Sequence, residues 1–119
     1  MKYILSVDQG TTSSRAIIFD ENQKVIAESQ REYELSYPKD GWVEANPKTI
    51  LDSVQEAINE VLTTTGIKVA CCGITNQRES VVVWNKHTGE EVYPAIIWQD
   101  RRTSEFCRNL ALKKPKFEK

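Results

Sequence analysis

YILSVDQGTTSSRAIIFD, residues 3–20, sets two apolar runs on either side of a polar segment. Tyr3, Ile4, Leu5 and Val7 form the first run and Ile17, Ile18 and Phe19 the second, so the pattern predicts two short strands. Between them stand Asp8, Gln9, Gly10, Thr11, Thr12, Ser13, Ser14 and Arg15. Four hydroxyls and the loop N–H groups can donate to phosphate oxygens, Gly10 lets backbone approach without a Cβ, and Arg15 adds a fixed positive charge. Asp8 would repel a phosphate unless a divalent cation sat between them, and hydrated Mg²⁺ suits that place. Neither GxxxxGK[ST] nor GxGxxG occurs in the chain. A second reading is a polar hairpin turn, with Gly10 at positive φ and the hydroxyls bonding their own backbone. Composition does not separate the two.

The 119 residues are enough for one domain that buries about two-thirds of its unfolded surface. Sixteen basic and seventeen acidic residues are mixed along the chain for a net charge of −1, which provides neither a nucleic-acid face nor a polybasic membrane patch. The N-terminal apolar run is too short for a signal peptide, and no stretch approaches the ~18 apolar residues of a membrane span, so a cytoplasmic location is the default expectation. Cys71, Cys72 and Cys107 lack CxxC spacing, and the adjacent pair sits in an apolar run where burial as small hydrophobes is expected. His87, in the turn-like NKHTGE, reads as a solvated loop side chain and not a general base.

After a polar turn at Asp20–Gln23, Lys24 to Leu35 reads as a third strand of an antiparallel meander. The loop SYPKDGWVEANP follows, with Trp42 expected to pack over the body of the domain. Asn46-Pro47 starts a helix, because Asn caps free N–H groups and proline at the first helical position loses no needed donor. Ile50, Leu51, Val54, Ala57, Ile58, Val61 and Leu62 form its apolar stripe, and Gly66 closes it. Ile67–Ile74, IKVACCGI, has the unbroken apolar character of a central strand covered on both faces.

Arg78 and Glu79 follow that strand directly. In open α/β sheets ligands gather at the carboxyl ends of strands, and a hydroxyl can satisfy a donor-only arginine and an acceptor-only glutamate at once. A solvated Arg/Glu surface pair is the competing reading. Val81–Trp84, the NKHTGE turn and Val92–Tyr93 predict a hairpin with Gly89 at positive φ. Trp98 stands where apolar AII meets charged QDRR, as a rim of the core or as an apolar wall for a ligand. Thr103 or Asp100 can cap a last helix carrying Phe106, Cys107, Leu110 and Ala111 on one face, before a charged tail with Pro115.

DQGTTSSRA resembles the first phosphate motif of the FGGY carbohydrate kinases, within the actin-like ATPase superfamily. GITNQRES and PAIIWQDRRT resemble segments of those members that act on glycerol, and the likeness runs from residue 1 to about 106. The βββαβ order matches the start of a ribonuclease H-like unit. The resemblance implies an α/β mixed sheet and an incomplete N-terminal domain: residues 1–119 would be the first part of the first kinase domain, with a phosphate loop at 8–15, a polyol segment at 75–79 and a hairpin at 81–93, the second domain being absent. It also implies ATP and Mg²⁺ as cofactors and glycerol as substrate. Thr11, Thr12, Ser13 and Arg15 would bind the nucleotide phosphates, Asp8 the metal, and Arg78, Glu79 and Trp98 the polyol. The catalytic base would lie in the missing domain. A kinase for another polyol or sugar, a non-catalytic actin-like module, and homo-oligomerisation when full length stay open.

Overall fold

The computed structural model describes residues 1–113. Three strands, β1 (Ile4–Gln9), β2 (Ser13–Phe19) and β3 (Val25–Glu32), form the expected antiparallel meander. A two-residue strand β4 (Glu44–Ala45) leads into helix α1 (Pro47–Thr65), and β5 (Cys71–Asn76) then returns parallel to β1. The mixed sheet has the order β3-β2-β1-β5. A second, two-stranded sheet pairs β4 with β6 (Ala95–Ile96), and α2 (Ser104–Lys113) ends the described chain.

Alternation along β1 and β2 sends Leu5, Val7, Ala16 and Ile18 to one face, where Ala57 and Val61 of α1 complete a buried core. Helix α1 has the predicted ends. Asn46 Oδ1 accepts from the Lys48 N–H at 2.9 Å, Pro47 is the first helical residue, and Gly66 at φ 65° donates its N–H to the Leu62 carbonyl at 2.9 Å. A smaller core of Tyr33, Val43, Ala45, Ala95 and Ile97 lies under the second sheet. Trp42 packs as expected, its ring covered by the Arg102 guanidinium at 3.8 Å.

The segment expected as a loop at 8–15 is mostly strand. β1 runs on through Gln9 and β2 begins at Ser13, so only Gly10, Thr11 and Thr12 form the tip. Gly10 is not at positive φ; its constraint is space, because a Cβ there would lie 3.1 Å from the Ser13 carbonyl oxygen. The stretch expected as a covered central strand is, among the described residues, an edge strand. Ile67 and Val69 pack instead on the core beneath α1, and the strand proper is exposed at every residue on the edge of the sheet. Cys71 and Cys72 are therefore exposed, not buried. The reason is reach: α1 lies across β2 and β3 and only the near side of β1.

Leu51 leaves the predicted stripe and is 55% exposed, while Ser53 is buried in it. The hairpin at 81–93 is made by Trp84 facing Glu91, with Gly89 at φ 78°, but Val81 pairs with Ile96 and so belongs to the second sheet. His87 is exposed in the turn, as expected. Thr103 precedes α2 and accepts the Cys107 N–H through its carbonyl, whereas Asp100 is used elsewhere. The face with Phe106 and Leu110 is uncovered among the described residues, and Pro115 lies outside them. The radius of gyration, 18.4 Å, exceeds the roughly 13 to 14 Å of a compact domain of this length.

Candidate functional site

Because β1 and β5 run parallel, their carboxyl ends bring Gln9-Gly10 beside Asn76-Gln77. The Gln77 N–H donates to the Gln9 carbonyl at 2.8 Å, which extends the ladder past the strand ends. The tip of the β1–β2 turn is closed by the Gly10 N–H on the Ser13 carbonyl at 2.8 Å. Tyr33 supports it from below: its N–H donates to the Thr12 carbonyl at 3.0 Å, and its hydroxyl donates to the Gly10 carbonyl. Burial raises the Tyr33 phenol above its ordinary range, against the opposing hydrogen bonds of Gln9 and Gln77, so it stays a neutral donor.

Trp98 reaches the same place from the second sheet. Its indole Nε1–H donates to Thr11 Oγ1 at 2.8 Å, and its backbone N–H to Ser80 Oγ at 3.0 Å. The residues on either side hold it there. Ile97 is buried and donates its N–H to the Val43 carbonyl, while the Asp100 carboxylate accepts from the Val43 N–H at 2.7 Å. Arg102 then binds Asp100 and Glu44, each at 2.8 Å, with all three side chains largely removed from water. Partial burial alone would raise the Asp100 carboxyl, but hydrogen bonds from the Arg102 side chain and the Arg102 and Val43 N–H groups hold it below the usual carboxylate range. Those partners in turn raise the Arg102 guanidinium, which stays charged.

Thr11, Gln77, Arg78, Glu79 and Trp98 thus line one open pocket of about 320 Å³. Hollows of about 370 and 690 Å³ lie beside the start of α1 and the hairpin, away from these residues, and one of about 420 Å³ adjoins Trp98 on the side of α2. Four of the residues singled out by sequence, from three separate stretches, meet here. Arg78 and Glu79 are exposed and form no ion pair with each other among the described residues, so their donors and acceptors face solvent. Glu79 has φ 67°, a left-handed conformation that costs a side-chain-bearing residue about 1 kcal/mol or more.

The remaining sequence-derived residues take other positions. Thr12 is exposed at the tip. Asp8, Ser13 and Arg15 point away from α1, on the open face of the sheet, with Asp8 opposite Arg15 on β2 and Thr75 on β5. The Arg15 guanidinium turns toward β3, to Gln30 at 3.0 Å and Glu28 at 3.6 Å. Ser14 leaves the site altogether and bonds Ser53 in the core at 2.7 Å. Sequence reading missed Gln9, Tyr33, Gln77 and Ser80. Gln77 and Ser80 flank Arg78-Glu79 in the same polar stretch, which was the available signal; nothing local marks Tyr33.

A mixed sheet whose two parallel strands carry a hydroxyl-tipped turn and an Arg-Glu pair to one end defines an α/β module with its polar groups gathered at that end. The chain belongs to the FGGY family of carbohydrate kinases, whose N-terminal domain it matches over residues 3–118. It is 50% identical over 114 residues to the glycerol kinase of Rhizobium meliloti and 54% identical over 112 residues to that of Shewanella frigidimarina, covering 93% and 92% of this chain. The crystal structure of Plasmodium falciparum glycerol kinase with ADP superposes with a TM-score of 0.91 at 33% identity, over 95% of this chain and 23% of that one. Gluconate kinase from Lactobacillus acidophilus superposes at 0.87 with 28% identity, over 94% of this chain and 23% of that one. The mixed sheet is thus the actin-like ATPase fold of these kinases, seen in its N-terminal part. The chain spans 23% and 22% of the length of the two glycerol kinases it matches.

Proposed function

We propose that these residues are the N-terminal part of the first domain of an ATP:glycerol 3-phosphotransferase. The observation that carries the reading is the convergence of Thr11, Arg78, Glu79 and Trp98 on one pocket, with Thr11 and Trp98 in direct contact. In the reaction a glycerol hydroxyl oxygen bonds to the γ-phosphorus as the bond from that phosphorus to the β-bridging oxygen breaks. ADP leaves, and the hydroxyl proton passes to a base that we assign to the part of the kinase beyond this segment. Arg78 donates to glycerol hydroxyls, Glu79 accepts from them, and the Trp98 ring covers the carbon backbone. Thr11, Thr12, Ser13 and Arg15 serve the nucleotide phosphates; Thr11 can accept from Trp98 and still donate its own proton to a phosphate oxygen.

Asp8 fits a hydrated Mg²⁺: it is an exposed carboxylate next to the last residue of β1, and a single carboxylate suits an ion that keeps several of its waters. Such an ion, when bound with the nucleotide, neutralises charge on the phosphate oxygens. The test is a substrate panel on the complete kinase. Glycerol is expected to give the highest kcat/KM, and higher values for gluconate or xylulose reassign the pocket to another member of the family.

A further inference from the structure

Gln77 does more than continue the strand ladder. Its Nε2 lies within hydrogen-bond distance of Gln9 Oε1 (3.1 Å), the Gly10 carbonyl (3.2 Å) and Tyr33 Oη (3.2 Å), while its Oε1 accepts from Ser80 Oγ at 2.7 Å. The amide has one workable orientation, since the reverse would set its oxygen against the Gly10 and Gln9 oxygens. Ser80 accepts the Trp98 N–H, and Trp98 donates to Thr11, the neighbour of Gly10. These contacts close a ring that runs from the phosphate turn through Gln77, Ser80 and Trp98 back to the turn.

Arg78 and Glu79 occupy the two positions bridged by the Gln77–Ser80 bond, and Glu79 is held at positive φ within it. A free chain would relax from that conformation. The ring therefore determines both where the polyol-facing pair points and how far it stands from the hydroxyl of Thr11.

We infer that Gln77 is a positioning residue, which with Ser80 sets the separation between the polyol-binding groups and the phosphate turn. The inference rests on the glycerol-kinase reading of this pocket. Its consequence is specific to rate: loosening the ring leaves each ligand its own contacts but lets their spacing drift, and misplacement of reactants costs turnover more than binding.

In the complete kinase, Gln77→Glu replaces an N–H donor by a carboxylate facing the Gly10 carbonyl. We expect kcat to fall about tenfold while the KM values for glycerol and ATP each change less than about threefold. The ratio of variant to wild-type kcat should rise as pH falls from about 8 to about 5.5, because the introduced carboxylate regains a donor once it is protonated. Ser80→Ala should show the same kcat-weighted loss without pH dependence, and it carries the test alone if Gln77→Glu does not fold. An unchanged kcat, or a loss confined to glycerol KM, overturns the positioning role. A second measurement does not need turnover: in the 119-residue chain, exchange of the Trp98 indole N–H with solvent should accelerate severalfold in both variants. Equal exchange rates overturn the ring. Failure of the wild type to phosphorylate glycerol, with exchange accelerated as expected, removes the substrate assignment and leaves the ring standing.

Discussion

Asp8 lies next to the last residue of β1 and Arg78 two residues past the end of β5, and the proposed function gives them separable roles. Arg78→Ala removes donors that face solvent in the pocket, and charge-assisted hydrogen bonds are worth about 1.5 to 3 kcal/mol. In the complete kinase the glycerol KM should accordingly rise roughly tenfold to a hundredfold with ATP affinity nearly unchanged. Paired titrations of the two ligands check this, and a fall in ATP binding alone would assign Arg78 to the nucleotide. Asp8→Asn should do the converse, lowering Mg²⁺-dependent kcat while glycerol binding holds. An Asp8→Asn enzyme with wild-type turnover across a Mg²⁺ titration would falsify the metal role.

Whole elements depend on a few interactions that can be removed one at a time. Asn46 caps the only helix that covers the sheet among the described residues, so Asn46→Ala should lower stability by about 1 kcal/mol, read as a drop in denaturation midpoint. The second sheet depends on the Glu44–Arg102–Asp100 cluster, which ties β4 to the turn after Trp98. The Asp100 carboxyl is held below its unfolded value, so its contribution is complete above about pH 4 and is lost as pH falls through the folded value. Asp100→Asn should therefore destabilise the chain at neutral pH by about 1.5 to 3 kcal/mol, and the gap from wild type should close in acid. A gap that stays constant down to about pH 2 would show that the carboxylate charge contributes nothing. Tryptophan fluorescence should follow the transition, because Arg102 lies on the Trp42 ring.

Taken as one body, the 119-residue chain brings the Gly10–Thr12 turn and the pocket lined by Arg78, Glu79 and Trp98 together at one end of the sheet. Phosphoryl transfer rests on positioning and charge stabilisation from groups on both sides of the transferred phosphoryl, and the glycerol kinase of Rhizobium meliloti that the chain resembles is more than four times as long. The isolated chain is expected to show no glycerol-dependent ATP consumption at high protein concentration. Turnover that survives purification and vanishes in an Asp8→Ala control would sink that expectation and place a complete site in these residues.

Local chemistry determined much of this by itself. The meander, the Asn46-Pro47 start and Gly66 end of α1, and the Gly89 turn each rest on neighbours in the chain, so propensity and hydrophobic period suffice to read them. Thr11, Arg78, Glu79 and Trp98 stood out locally as polar or amphipathic residues at the ends of apolar runs, which left a solvated turn, a surface ion pair and a core rim open beside a ligand role; the resemblance, not local chemistry, singled them out. Covering was not legible. IKVACCGI reads as buried because it is apolar, but which half forms the strand and which half packs under α1 depends on how far one helix reaches across a sheet. Ser14, lost to the core, and Arg15, turned toward β3, follow from β2 starting three residues after Gly10, which fixes the face of every side chain along it. The bond from Trp98 to Thr11 and the ring through Gln77 join residues far apart in the chain: the parallel pairing of β1 with β5 brings Gln77 to Gly10 and Tyr33, the second sheet carries Trp98 to Thr11, and the donors and acceptors come within 3.2 Å.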